Sequence, residues 1–430
     1  MNYLEKNKKS FIKDLSGLIS IQTWLKDDEV YPTKELKDGL YYMEKIAKRD
    51  GLKVFTDPNG FYGWIEIGEG SEMIGILGHI DVVPPGNLKE WEKDPFKLIE
   101  KDGKLFGRGT QDDKGPVMLG FYLLKHLKET STKLNKRVRL IYPTDEELFW
   151  RGIEEYKKNE EVPSYGITPD SSYPIIYSER ALLNFKITSS PVNDYSIEGG
   201  IAINVVPAKA KFINSNGEET ITNGKSSHAM NPEKGENAIT KLFNEIKDKV
   251  NHPIIDFVNN EINNETNAKT LLGKIYKDND ASITCNLGMV KINSTKSELL
   301  IDMRLPNTLE RKDLERMIKN KVSKYKGLQY QDYDWLNGVH IKKDSFMIKD
   351  LISSYKKITN KDMEPISTGG ATYARSMDNI VAFGPFFEDS PETEHQYNEY
   401  VIFNDFVKSF DIYNDVFKKW LKNKTLPTLF

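Results

Sequence analysis

Two short apolar runs, residues 73–77 and 137–142, bracket an apolar stretch at helical spacing over residues 117–127. Runs of five or six residues are too short for helices and read as buried strands. Strand, helix and strand in that order call for a sheet with a helix laid against it. Residues 62–67 add an alternating strand, and residues 11–19 and 40–47 add two helical patterns, the second broken by Asp50-Gly51. From residue 181 to about 339 the texture changes. Strand-like pieces at 182–187, 208–213 and 299–303 mix with helices such as 238–250, and the polar stretch 259–267 reads as an exposed loop or helix end. After Asp350 the chain returns to helix, Gly-rich loop and strand. The expected class is α/β. A helix-sandwiched mixed sheet forms a discontinuous first domain, residues 1–180 and 340–430, and an α+β domain, residues 181–339, is inserted into it.

A chain of 430 residues, 38% hydrophobic, has enough apolar surface for two such cores. Its 61 basic and 64 acidic residues are interspersed and nearly cancel, which leaves no electrostatic footprint for nucleic acid and makes small molecules the expected partners. The single cysteine, Cys285, excludes an intrachain disulfide framework and fits a reducing compartment. Lys6, Lys8, Lys9 and Lys13 are followed by no apolar run of the signal-peptide kind, and no stretch approaches the ~20 apolar residues of a membrane span. A cytoplasmic protein is expected.

Ligand-type side chains stand where the strands end. His79 and Asp81 follow the run at 73–77, and alternate residues of an extended chain point the same way. A metal-bound imidazole usually donates its second N–H to a carboxylate or carbonyl, a role open to Asp81, although an ordinary polar strand end is the competing reading. In Gly107-Arg108-Gly109-Thr110-Gln111-Asp112-Asp113-Lys114-Gly115, adjacent acids before a helix could be simple caps. The three glycines permit a tight path that capping does not require, and they favour a bridging carboxylate. Asp145-Glu146-Glu147 sit just past the strand at 137–142, and three acids at a strand end repel one another unless cations are present. Asp170 follows 166–169 in the same manner, and His395 lies in the acidic loop 392–399.

His79, Asp112, Glu147, Asp170 and His395 make two imidazoles and three carboxylates, the inventory of a dinuclear site; if Asp112 bridges, each ion can take one His, one terminal carboxylate and a share of the bridge. Glu146 is the spare acid, placed to take a proton from water activated by the ions.

These segments, with His79-Ile80-Asp81-Val82-Val83-Pro84 and Glu394-His395, resemble the motifs of the dinuclear zinc peptidases related to aminoacylase and carboxypeptidase G, peptidase family M20. Within that family the chain most resembles the PepV-type bacterial dipeptidases, over essentially its whole length. The resemblance implies His79, Asp112 and Asp170 at one metal, Asp112, Glu147 and His395 at the other, Glu146 as general base, and a cis peptide after Asp112. It makes the first domain catalytic and the insert a lid. In the lid, Asn204 and His228 would stabilise the oxyanion and Arg304 would hold the substrate carboxylate. Gly370 and Thr372 belong to a stretch, 369–375, that resembles the family's substrate-binding loop. A surface histidine and an arginine paired with an acid are the competing readings of His228 and Arg304.

His126, His252 and His340 lie outside any motif and are expected to be packed structurally or exposed. Leu148-Phe149 after Glu147, and Pro143 where relatives usually carry glycine, depart from the family pattern and bear on substrate preference. The expected activity is hydrolysis of a dipeptide through a metal-bridging water by a monomer carrying two divalent ions, zinc first, manganese or cobalt otherwise. Two alternatives stand beside it. An N-acyl amino acid amidohydrolase, such as a succinyl-diaminopimelate desuccinylase, would share every ligand. A non-catalytic two-lobed binding protein would have no use for an unligated Glu146.

Overall fold

The computed structural model describes residues 2–26, 30–131, 133–278, 281–307 and 309–422, which form two compact units. Unit 1 comprises Met1–Tyr177, Ile341–Ile366 and Thr372–Phe430; unit 2 comprises Ser178–His340 and Ser367–Ala371.

Unit 1 is built on a mixed sheet. Its strands are Lys53–Thr56 (β1), Tyr62–Ile67 (β2), Met73–Leu77 (β3), Arg137–Pro143 (β4) and Tyr165–Thr168 (β5), in the order β1-β2-β4-β3-β5, and the strand Ile380–Ala382 follows β5. β3 runs parallel to both β4 and β5, whereas β2 is antiparallel to β1 and β4. A parallel pair needs a crossover, supplied here by the helix Lys114–Thr130 (α1), whose residues 114–124 are all buried. The alternation read in 62–67 does not give one wet and one dry face, because all six residues of β2 are buried. Ile65 and Ile67 pack in the core that contains α1, while Tyr62 and Trp64 pack with Ile153 and Tyr156 of the helix Arg151–Asn159 (α2). Helices cover both faces, so even Glu66 is buried, and its carboxylate is neutralised by Arg139 and Lys53.

Unit 2 carries a seven-stranded antiparallel sheet. Its centre is formed by Thr284–Ile292, Ser297–Leu305 and Ala181–Thr188, and Gln329–Leu336 is an edge. Leu183, Phe185 and Ile187 point into a core closed by the helices Ala238–Ile246 and Arg311–Val322, and Cys285 is buried there. The helix expected over 238–250 stops at Ile246. Pro253 pushes His252 to an extended backbone, φ −143° and ψ 129°, and starts the short helix Pro253–Phe257 instead. Residues 259–262, expected in an exposed loop or helix end, belong to a π-helical turn, Val258–Ile262, that continues the helix Pro253–Phe257. Glu261 and Ile262 of that turn are buried, and Glu261 is held by Lys321 at 2.5 Å and Tyr325 at 3.2 Å. The segment Ser367–Ala371 packs with unit 2, where Thr368 O accepts from Arg180 N at 3.0 Å and Gly369 O from Arg304 Nη1 at 3.0 Å. No helix of the described residues is long and apolar enough to cross a membrane.

Candidate metal centre

The chain beyond β3 keeps close to β4: Gly78 N bonds Ile141 O at 3.0 Å and Ile80 N bonds Pro143 O at 3.3 Å. This aims the fully buried imidazole of His79 past the strand end. His79 Nδ1 lies 3.0 Å from the main-chain oxygen of Asp81 and 3.4 Å from Asp81 Oδ1. The partner expected from the Asp81 carboxylate is thus chiefly its carbonyl. A carbonyl only accepts, so Nδ1 carries the proton and the Nε2 lone pair is left for a ligand. Nε2 faces Asp112 Oδ1 at 3.0 Å, Asp170 Oδ2 at 3.9 Å and Glu146 Oε2 at 4.0 Å. The Asp81 carboxylate instead accepts from Glu147 N at 3.2 Å.

Asp112 and Asp113 are joined by a cis peptide bond. Asp113 stands at the N-cap of α1 yet makes no capping bond; its Oδ2 accepts from His79 N at 3.0 Å. A Cβ on Gly78 would lie 2.4 Å from that oxygen, which is why glycine follows this strand. Asp112 spans two imidazoles, with Oδ1 toward His79 and Oδ2 2.9 Å from His395 Nε2.

The acids after β4 do not sit in an extended segment. Asp145 has φ 76°, and residues 146–149 form a turn. The turn, in place of strand alternation, separates the two glutamates: Glu147 Oε2 lies 3.3 Å from His395 Nε2, while Glu146 approaches His79. Asp145 is not part of the cluster. Arg151 clamps it with bonds of 2.6 and 2.8 Å, which neutralises one of the three acids whose repulsion was read from the sequence.

Two groups of ligand atoms result, each within 4.8 Å: His79, Asp112 and Asp170, and Asp112, Glu147 and His395. They share Asp112. The charge balance fits cations. Burial and the neighbouring Asp112 push Asp170 up to about 7 and raise Glu147, and burial with Asp170 and Glu147 around it raises Glu146 well above the usual carboxylate range. Asp112 and Glu147 hold His395 up to about 10. Burial opposes charge on His79, but Asp112 and Asp81 outweigh it and raise its pKa well above the usual value. Protons on the imidazoles occupy the places that divalent ions would take, and Glu147 Oε1 is buried with no hydrogen-bond partner. Imidazole and carboxylate donors suit zinc, manganese or cobalt.

Residues 75–419 match peptidase family M20/M25/M40. The chain belongs to this family. It is also 30% identical to the Bacillus subtilis protein named "Putative dipeptidase YtjP", over 95% of this chain and 96% of that one. The aminoacylhistidine dipeptidase of Vibrio alginolyticus has the same fold, with a TM-score of 0.68 at 13% identity over 95% of this chain and 96% of that chain. A Bacillus subtilis protein described as a dinuclear metal binding peptidase of family M20 superposes with a TM-score of 0.51 at 12% identity, over 96% of this chain and 99% of that chain. The chain is a hydrolase of peptide bonds.

The remaining residues singled out for this peptidase lie mostly in unit 2. Asn204 is exposed, and so is His228, whose Nδ1 accepts from Met230 N at 3.1 Å. Partial burial and the nearby Arg304 lower the pKa of His228 and keep it neutral. Arg304 is buried and forks onto Asp302 with two bonds of 2.8 Å. Gly370 N donates to Thr368 Oγ1 at 3.0 Å in unit 2. Thr372, in unit 1, caps the turn Tyr373–Ser376 by accepting from Ala374 N at 3.3 Å.

Around the candidate centre, sequence reasoning gave no role to Glu399 or Gln111 and named Tyr373 only within the stretch 369–375. Glu399, fully buried, accepts from Gly109 N at 3.0 Å, Gln111 N at 2.8 Å and Asp112 N at 3.2 Å, and pairs with Arg108 at 2.6 Å. Gln111 donates to Pro391 O at 2.9 Å and accepts from Thr393 N at 2.8 Å and from the Thr393 hydroxyl. Together they fasten the Asp112 loop to the His395 loop. Tyr373, fully buried, sets its ring edge-on to His79 at 6.0 Å. Glu399 sits four residues after His395 in an acidic run, and that proximity was the only signal available for it.

Proposed function

We propose that this peptidase is a metal-dependent dipeptidase holding two divalent cations, zinc first, with unit 1 catalytic and unit 2 a lid. The observation that carries the reading is the pair of ligand groups sharing Asp112, with Glu146 beside them and in neither. His79, Asp112 and Asp170 would hold one cation, and Asp112, Glu147 and His395 the other. The cations supply Lewis-acid polarisation of water and of the scissile carbonyl. Glu146 takes the proton of the attacking water and delivers it to the leaving amine. Asp81 orients His79 and the Glu147 main chain. From unit 2, Asn204 and His228 stabilise the oxyanion and Arg304, held flat by Asp302, receives the substrate carboxylate, with Gly370 and Thr372 in the loop that lines the substrate. The buried single thiol accords with a cytoplasmic enzyme, and the insert is large enough for a monomer to supply its own lid.

The test is reconstitution of the metal-stripped protein with zinc, manganese or cobalt, assayed on dipeptides and on N-acyl amino acids. Turnover of dipeptides restored by metal is expected. Turnover confined to N-acyl amino acids would replace the reading with an amidohydrolase, and no turnover with any ion would remove it.

A further inference from the structure

Asn204 is exposed in a turn of unit 2 that Val205 N closes onto Ala202 O at 3.3 Å. An isolated bridge pairs Val205 with His228, and Asn204 O accepts from Ala229 N at 2.9 Å. From the strand Thr284–Ile292 comes Asn286, 2% exposed, whose Nδ2 donates to Ile203 O and to Val205 O, each at 3.1 Å. The carbonyls of three consecutive residues centred on Asn204 are therefore taken, two by one side-chain amide. Its orientation is fixed by a chain of donors. Main-chain N–H groups only donate, so Asn237 turns Oδ1 to Ile239 N at 2.9 Å and Thr240 N at 3.3 Å as a helix cap. That leaves Asn237 Nδ2 to donate to Asn286 Oδ1 at 3.2 Å and Leu287 O at 2.9 Å. Asn286 must then accept with its oxygen and clamp the turn with its nitrogen. Gly288, at a bulge between Leu287 and Met289, permits the approach, since a Cβ there would lie 2.3 Å from Ile203 O.

Resting on the oxyanion role of Asn204 in the proposed function, we propose that Asn286 is a positioning residue for the reaction, its amide setting the turn that presents Asn204. Packing alone does not fix that turn. Val206, Asn237 and Asn286 border a cavity of about 240 Å³, so a turn released by Asn286 has room to shift. A misplacement of about 1 Å in a group that meets the transition state can cost ~10²-fold in rate. The two bonds from Asn286 hold the main chain on either side of the residue whose placement matters.

The experiment compares the wild type, Asn286→Ala, Asn204→Ala and the double variant, all metal-loaded, by dipeptide kinetics and by calorimetric titration with a phosphinic dipeptide isostere, a tetrahedral mimic of the transition state. Asn286→Ala should lower kcat and isostere affinity by about 10- to 100-fold, with KM changed by about threefold at most and both metals retained. In the Asn204→Ala background the same substitution should cost about threefold or less, because the residue it acts through is gone. Asn237→Asp keeps the helix cap and Asn286 itself but withdraws the donor that orients the amide, and should lower kcat and affinity by about 3- to 10-fold. An equal loss in both backgrounds, an unchanged kcat and affinity, or loss of metal from Asn286→Ala would each overturn the assignment. Should Asn286→Ala fail to fold, Asn237→Asp is read in the same two backgrounds, and an equal loss in both, or none, overturns it. Coupling seen in isostere binding to a protein that hydrolyses no dipeptide leaves this inference standing and removes the proposed function. Dipeptide turnover without the coupling does the reverse, and a wild type that neither binds the isostere nor turns over dipeptides removes both.

Discussion

His79 in unit 1 and His252 in unit 2 are both buried imidazoles, and their surroundings drive them in opposite directions. His79 is ringed by Asp112, Asp81 and Asp170, which favour the charged form strongly enough to defeat burial. Among the described residues His252 has no acid against it. Its Nδ1 accepts from Ile254 N at 3.2 Å as a helix cap, its Nε2 meets Ser297 Oγ at 3.1 Å, and burial lowers its pKa to about 4. The same side chain is a cation site in one core and a neutral strut in the other. The chemistry lies in the acids brought around the ring, not in the histidine.

Removing the acids should erase the contrast. Asp112→Ala is expected to strip both metals and bring activity to background, because it deletes the atom pair both groups share. Two metals per chain by elemental analysis would refute the bridge. Glu146→Gln should keep both metals and lose kcat by about 10²- to 10⁴-fold, whereas Glu147→Ala should lose metal. The opposite pattern would exchange the two roles. His228→Ala, in unit 2, should cost about 10²- to 10³-fold in kcat with metals retained, and a near-normal kcat would make it a surface histidine. Glu399→Gln should weaken metal affinity by about 10- to 100-fold through the Asp112 loop; an unchanged affinity in a competition titration with a chelator would show that the loop holds itself.

The smallest effect tests the strut. The folded pKa of His252, about 4, lies below its unfolded value of about 6.5, so the unfolded chain binds the extra proton between them. The stability contributed by His252 is therefore complete above about pH 6.5 and is lost as the pH falls toward 4. At pH 5 the loss should be about 2 kcal/mol relative to pH 8. His252→Asn retains a capping acceptor without a titration, and denaturant unfolding at the two pH values should show it less acid-sensitive than the wild type. Parallel curves would mean that burial of this ring has been overstated.

Much of unit 1 was legible because its signals are local. The apolar runs of β3 and β4 and the residues immediately after them fall within a few positions of one another, and chain alternation points His79 at the site. What stayed hidden depends on distant partners. Arg151 neutralising Asp145 could not be read from three consecutive acids. The turn that separates Glu146 from Glu147 depends on a backbone with positive φ at Asp145. Glu399 acts on Asp112 across 287 residues, and no periodicity carries such information. In unit 2 the strands were visible from their apolar residues, but the new helix that starts at Pro253 and the burial of Glu261 and Ile262 reflect the proline and the Glu261 partners, which outweigh the polar composition of that stretch.

The fastening of the Asp112 loop to the His395 loop sets a timetable for synthesis. His79, Asp112, Glu147 and Asp170 leave the ribosome before unit 2 is made, and His395, Glu399 and the contacts of Gln111 arrive only after it. A growing chain has the complete donor set of the first ligand group some 220 residues before that of the second. The donor set of the second group is complete only once His395 has been made, so a chain that stops before it carries the residues of the first group alone.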